Sequence, residues 1–154
     1  MTYRNGIVLT ILLLGASGQL WSTKILHKKL PELIKRADHV FAGRIVKVDM
    51  IQGNGDIVTN PKARTGPGLK NKIRLHIAPD RKAVLKGNGS VLPRRVIVEL
   101  WPRWHKRLGT TKKRLENRKK IFLLKGRKFK RVYPGYFLRE LSEEKRIRRI
   151  IRNR

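Results

Sequence analysis

The sequence predicts a mainly β domain: five antiparallel strands curled into a small barrel, closed or part-open, with a short helix before them and another at the end. Three observations carry this expectation. Ile73, Leu75 and Ile77 alternate with Lys72, Arg74 and His76, the period of a strand with one buried and one wet face. Four further apolar runs of strand length are bounded by Gly, Pro or Asn-Gly signals. Gly43 falls inside the first of these runs, where a glycine marks a bulge or a tight bend. Strands that curl in this way close economically, because closure hides their edges.

Taken in order, Leu30 to Ala37 forms the first helix. Pro31 and Glu32 suit its first turn, Lys35 and Arg36 its last, and Leu30, Leu33, Ile34 and Ala37 share one apolar stripe. His39 to Met50 is the first strand. Gln52 to Leu69 holds Gly53, Gly55, Pro61, Gly66, Pro67 and Gly68 without periodicity, and reads as a surface loop. The alternating second strand runs toward Ala83-Val84-Leu85-Lys86-Gly87, after which Asn88-Gly89-Ser90 turns the chain. Arg95 to Trp101 is the third strand; Pro102 ends it and opens a basic loop. Lys120 to Leu124 and Lys128 to Tyr133 are the last two, joined at Gly126 as a hairpin and followed by a turn at Pro134-Gly135. Ser142 to Arg152 reads as a helix with Ser142 as N-cap and Glu143 and Glu144 in the first turn. Its face of Ile147, Ile150 and Ile151 reads as packing on the barrel, with a basic interfacial helix as the alternative.

Length and apolar content suit one domain with a real core, at 154 residues and 40% hydrophobic. Residues 1–22 read as a signal peptide, leaving 23–154 as a single basic domain. Arg4 supplies the positive start, Gly6 to Ala16 the uncharged apolar run, and cleavage falls after Gly18 or Ser22. The apolar run is shorter than the roughly 20 residues that cross a bilayer. An uncleaved N-terminal anchor, holding the protein on the membrane, is the alternative. Cysteine is absent, which excludes thiol catalysis, cysteine-based zinc sites and a disulfide scaffold. The expected location is therefore the periplasm or the extracellular space, with a bacterial envelope as the preferred setting.

Three segments also carry a family resemblance. The run from Leu33 through Ala37-Asp38-His39-Val40-Phe41-Ala42-Gly43 to Val46 resembles the opening of small bacterial exported proteins with an OB-type barrel. Ala83-Val84-Leu85-Lys86-Gly87 resembles their turn after the second strand, and Lys120-Ile121-Phe122-Leu123-Leu124 their late apolar strand. These barrels are similar to the netrin-like fold of the tissue inhibitors of metalloproteinases. The resemblance implies a five-stranded antiparallel OB-like barrel and an exported protein. It does not carry over protease inhibition, because those inhibitors chelate zinc through an N-terminal cysteine that this chain lacks.

Charge points to the class of partner. The chain has 39 Lys+Arg against 10 Asp+Glu, a formal net charge of +29, and residues 101–154 carry +17 of it. A body so charged repels itself, and its surroundings are expected to supply a polyanion. The candidate binding residues are Trp101, Arg103, Trp104, Lys106, Arg107, Lys112, Lys113, Arg114, Arg118, Lys119 and Lys120, in a stretch holding one acid, Glu116, together with Arg146 and Arg149 of the last helix. Cations interleaved with indoles suit an acidic macromolecule or an anionic membrane surface. They also suit a single-stranded nucleic acid, whose bases stack while its phosphates are neutralised, and an inert solvated loop would look the same.

No catalytic constellation is legible. Nucleophile elbow and phosphate-binding loop are absent. His27, His39, His76 and His105 lie at no ligand spacing, so no metal is expected. Asp38, Asp49, Asp56 and Asp80 read as turn or strand-edge residues. The expectation is a non-enzymatic binding protein with no cofactor and no small-molecule substrate. A single-stranded nucleic-acid-binding OB-fold protein is the alternative.

Overall fold

The computed structural model describes residues 27–87, 89 and 91–153. The expected signal peptide lies outside them, as do Asn88 and Ser90 of the expected turn.

Two long strands make the frame. Strand β1 (His39–Ile51) and β3 (Lys72–Lys86) pair antiparallel over nearly their whole length. The register slips between Val40 and Phe41, between Phe41 and Gly43, and between Ile45 and Lys47. Each slip adds local twist, so the pair curls instead of lying flat. Gly43 sits in this curl as expected: a Cβ there would stand 2.9 Å from both Ala78 O and Ile77 Cγ2. Strand β4 (Val96–Glu99) flanks β3, and β6 (Lys119–Lys125) pairs with the first half of β1. Strands β7 (Lys130–Arg131) and β8 (Leu138–Arg139) both pair with β6. The result is one sheet of six antiparallel strands in the order β4-β3-β1-β6-β7, with β8 beside β6.

Both faces of the sheet are buried along β1 and β6, and each face has its own core. Inside the curl lie Phe41, Ile45, Val48, Met50, Ile73, Leu75, Ile77, Val96, Val98, Phe122 and Leu124. Phe41 and Phe122 pack with ring centroids 5.7 Å apart. The alternate residues Val40, Ala42, Ile121 and Leu123 point outward, under helix α1 (Leu30–Arg36) and helix α3 (Glu144–Arg152). That two-sided burial explains why 40–43 and 121–124 read as runs without a charge. Helix α1 has the expected stripe and the expected basic last turn. Lys86 Nζ completes its C-terminus, donating to the carbonyls of Ile34, at 3.0 Å, and Ala37.

Several expectations change. Five strands become six in the sheet and eight among the described residues. Strand β2 (Arg64–Thr65) pairs with β5 (Lys106–Arg107) as a separate ribbon. Among the described residues no ladder joins β4 to β7, so the sheet curls without hydrogen-bonded closure. The expected strand from Lys128 to Tyr133 shrinks to Lys130–Arg131, because Gly126 and Phe129 turn through positive φ (70° and 48°). Phe129 holds that uncommon conformation with its ring 4.6 Å from the His39 ring. The other end of the hairpin is fixed by Asp38, whose carboxylate accepts the Gly126 N–H at 2.6 Å.

The basic loop after Pro102 is not a loop throughout. Helix α2 (Leu108–Leu115) lies within it, burying Leu108, Thr111 and Leu115 against the inner core. Ser142 is not an N-cap: a 3₁₀ turn at Leu141–Glu143 precedes α3, and no side chain caps that helix. Glu144 does sit in its first turn, paired with Arg148 at 2.8 Å, and Ile147 is fully buried beneath α1, which favours the packing role.

Candidate functional site

The Gly/Pro-rich connection after β1 positions the basic segment. Thr65 Oγ1 donates to the Trp104 carbonyl at 2.6 Å, the Leu108 N–H donates to Ala63 O, and the Gly109 N–H donates to Pro61 O. The connection expected to be only a surface loop therefore holds the start of α2 in place. On the other side, Val48 N–H donates to the Glu116 carboxylate at 3.2 Å, and Asn117 N–H to Ile45 O at 2.7 Å. Asn117 takes positive φ (63°), which ends α2 and returns the chain into β6.

This arrangement brings most of the predicted residues to one region. Arg103, Arg107, Lys112, Lys113, Arg114, Arg118 and Lys119 are exposed. Lys112 lies 3.8 Å from Glu116, Lys119 lies 2.8 Å from Asp80, and Lys120 is ion-paired with Glu140. Arg103, Arg107, Lys113, Arg114 and Arg118 have no acid within ion-pair distance among the described residues. Lys106 is half-buried with its ammonium 5.0 Å from the centroid of the Trp104 ring. Burial, helped by the charge of Arg114, pushes the Lys106 ammonium below the usual lysine range. Trp104 also lies against Gly135, where any Cβ would overlap its ring.

Arg146 and Arg149 do not join this region. They are exposed on α3, which packs with α1 on the outer core, whereas α2 packs on the inner one. Spacing along the chain could not show that the sheet separates the two basic helices.

Trp101 belongs to a second feature. It lines a cleft of about 570 Å³ between β4 and the β7 hairpin, with Glu99, Phe129 and Arg131 among its neighbours. The Arg131 guanidinium carbon stands 5.6 Å from the Trp101 ring centroid. Burial lowers the Arg131 pKa, and the negative charge of Glu99 opposes that shift. In the sequence Arg131 is one cation within the strand expected from Lys128 to Tyr133. Its partner is 30 positions away, and only the curl of the sheet brings the two together.

A third feature corrects the reading of Asp49. It is not a turn residue but lies within β1, buried at 5% exposure. Its carboxylate accepts both Arg74 Nε and Arg74 Nη2 at 2.8 Å, and His76 Nε2 lies 2.9 Å from Oδ2. Burial alone would raise its pKa. The bonds from Arg74 and His76 outweigh that, and the carboxyl titrates below its ordinary range. Asp38 likewise bonds across the fold, to Gly126; Asp56 keeps a local turn contact with Asn54, and Asp80 joins a local one, with the Lys82 N–H, to its ion pair with Lys119.

Among the described residues, no group of three or more His, Asp or Glu is placed to hold a metal ion. The fold and these sites together define a mainly β, strongly basic protein with a curled six-stranded sheet and three helices. No protein-family model, no curated protein and no solved structure matches the chain.

Proposed function

We propose that this chain is an exported, non-enzymatic binding protein whose part-open, OB-like barrel presents a basic surface to an acidic partner: an envelope polyanion, an anionic lipid surface or an acidic protein. The observation that carries the reading is the set of exposed cations around α2, of which Arg103, Arg107, Lys113, Arg114 and Arg118 have no acid within ion-pair distance among the described residues. Such charges attract a polyanion over roughly 10 Å at moderate salt. The barrel component is supported by the register slips of β1 and by β4 and β7 approaching within 8 Å, Cα to Cα, from opposite ends of the sheet order. Single-stranded nucleic acid ranks behind, because Trp101 and Trp104 each have a cation over the ring where a base would stack.

Two measurements test this. Cell fractionation with N-terminal sequencing should find the protein in the envelope or medium with residues 1–18 or 1–22 removed. Retention on immobilised heparin should fall steeply as salt rises; salt-independent retention would overturn the electrostatic reading.

A further inference from the structure

The cleft between β4 and the β7 hairpin is lined by Arg131, whose buried Nη1 has no acceptor among the described residues. A guanidinium is donor-only, with five N–H groups in a fixed fork, and a buried charged donor left unpaired is costly. The nearest acid on the cleft wall, Glu99, does not relieve it. Glu99 is paired with Lys72 at 3.7 Å and lies outside ion-pair distance of Arg131. In a chain with 10 acids for 39 Lys+Arg, a half-buried arginine left without a carboxylate stands apart from Arg74, which has one on the same sheet.

The surroundings suit a guest. Trp101 and Phe129 give the cleft two aromatic walls beside its charged ones. Lys128 and Lys130 stand at its edge and attract negative charge. At about 570 Å³ the space exceeds what a lone ion needs and falls among ordinary ligand pockets. Strands β4 and β7 approach within 8 Å without pairing. That is too near for a whole extra strand between them, which would set them roughly 9.6 Å apart. A side group therefore fits better than an inserted backbone.

We infer that the β4–β7 cleft is an oxyanion subsite, in which the Arg131 fork grips one carboxylate, sulfate or phosphate group of the acidic partner between the Trp101 and Phe129 walls. This rests on the polyanion reading and adds to it a specific contact that diffuse charge does not supply. The exposed cations of α2 draw the partner in, and Arg131 fixes where one of its anionic groups sits.

The test follows the Trp101 indole N–H signal of the full chain by NMR, assigned through Trp101→Phe. Inorganic sulfate, inorganic phosphate and acetate are titrated separately, against chloride at matched ionic strength. A saturable shift with at least one oxyanion and none with chloride is expected, and the strongest responder identifies the group. Arg131→Gln should weaken that binding by about tenfold or more. Arg131→Lys keeps the charge and most of the packing but loses the fork, and should weaken it similarly. Lys35→Gln, on the exposed side of α1, should leave it unchanged. Equal shifts with chloride, or parental affinity in both Arg131 variants, would overturn the subsite. Heparin retention measured alongside separates the two ideas: lost retention with a saturable indole shift overturns the wider reading alone, and retained retention with a chloride-like shift overturns the subsite alone.

Discussion

Arg74 and Arg131 are two half-buried arginines on one sheet, and the protein treats them oppositely. Arg74 lies on β3 with both arms of its fork on the Asp49 carboxylate and His76 completing the group. Arg131 lies on β7 with an indole near its guanidinium and no acceptor for its buried Nη1. With 10 acids in the chain, the location of each acid is informative. Asp49, Asp38 and Glu116 are committed to holding strands together, and the β7 cleft has none bonded to its arginine. The comparison separates charge that stabilises the fold from charge left open to a partner.

The largest test removes the satisfied side. Asp49→Asn should cost about 3 kcal/mol in urea unfolding, because the half-buried Arg74 then loses its counter-ion. Asp49→Asn with Arg74→Met should recover much of that loss. A cost under about 1 kcal/mol would erase the contrast between the two arginines. Acid probes the same group. Its carboxyl pKa is lower in the folded state than the unfolded value of about 3.9, so its contribution is complete above about pH 4 and is lost as pH falls through the folded pKa. Thermal melts between pH 6 and pH 2 should show this acid-side loss, and Asp49→Asn should flatten it.

Smaller effects fall on the open side. Gly135→Ala puts a Cβ into the Trp104 ring at a backbone φ of 80° and should cost about 2 kcal/mol. Arg131→Met should change stability by no more than about 1 kcal/mol, since it removes an unpaired buried donor along with a ring contact. Lys113→Gln with Arg114→Gln should change stability within about 0.5 kcal/mol, because both are exposed, while flattening the dependence of heparin retention on salt.

How much of this could be read in advance follows from the range of each signal. Strands β1 and β3 and helix α1 were legible because alternation, a bend glycine and an apolar stripe are local patterns. Helix α2 was not: Gly109, Thr110 and Thr111 are poor helix formers, and Leu108 and Leu115 drive it only through the inner core they reach. Strands β2, β5 and β8 are two residues long and exist through pairing, which leaves no periodicity to detect. The basic segment could be counted from the sequence, but its separation from Arg146 and Arg149 by the sheet could not. Asp49 stood in plain view as an acid within an apolar strand. Its bonds to Arg74 and His76 depend on a register set by the slips in β1.

The bond from Gly126 N–H to Asp38 has a mechanical consequence. It tethers the hairpin bearing Phe129 and Arg131 to the junction of α1 and β1, so one jaw of the cleft is anchored at the start of the central strand. The jaw formed by β4 hangs from β3 instead, through the ladder from Arg74–Glu99 to Ile77–Val96. The two walls of the cleft are thus carried by separate ladders that both lead back to β1. Hydrogen exchange at the Gly126 amide reports whether the jaws hold their spacing.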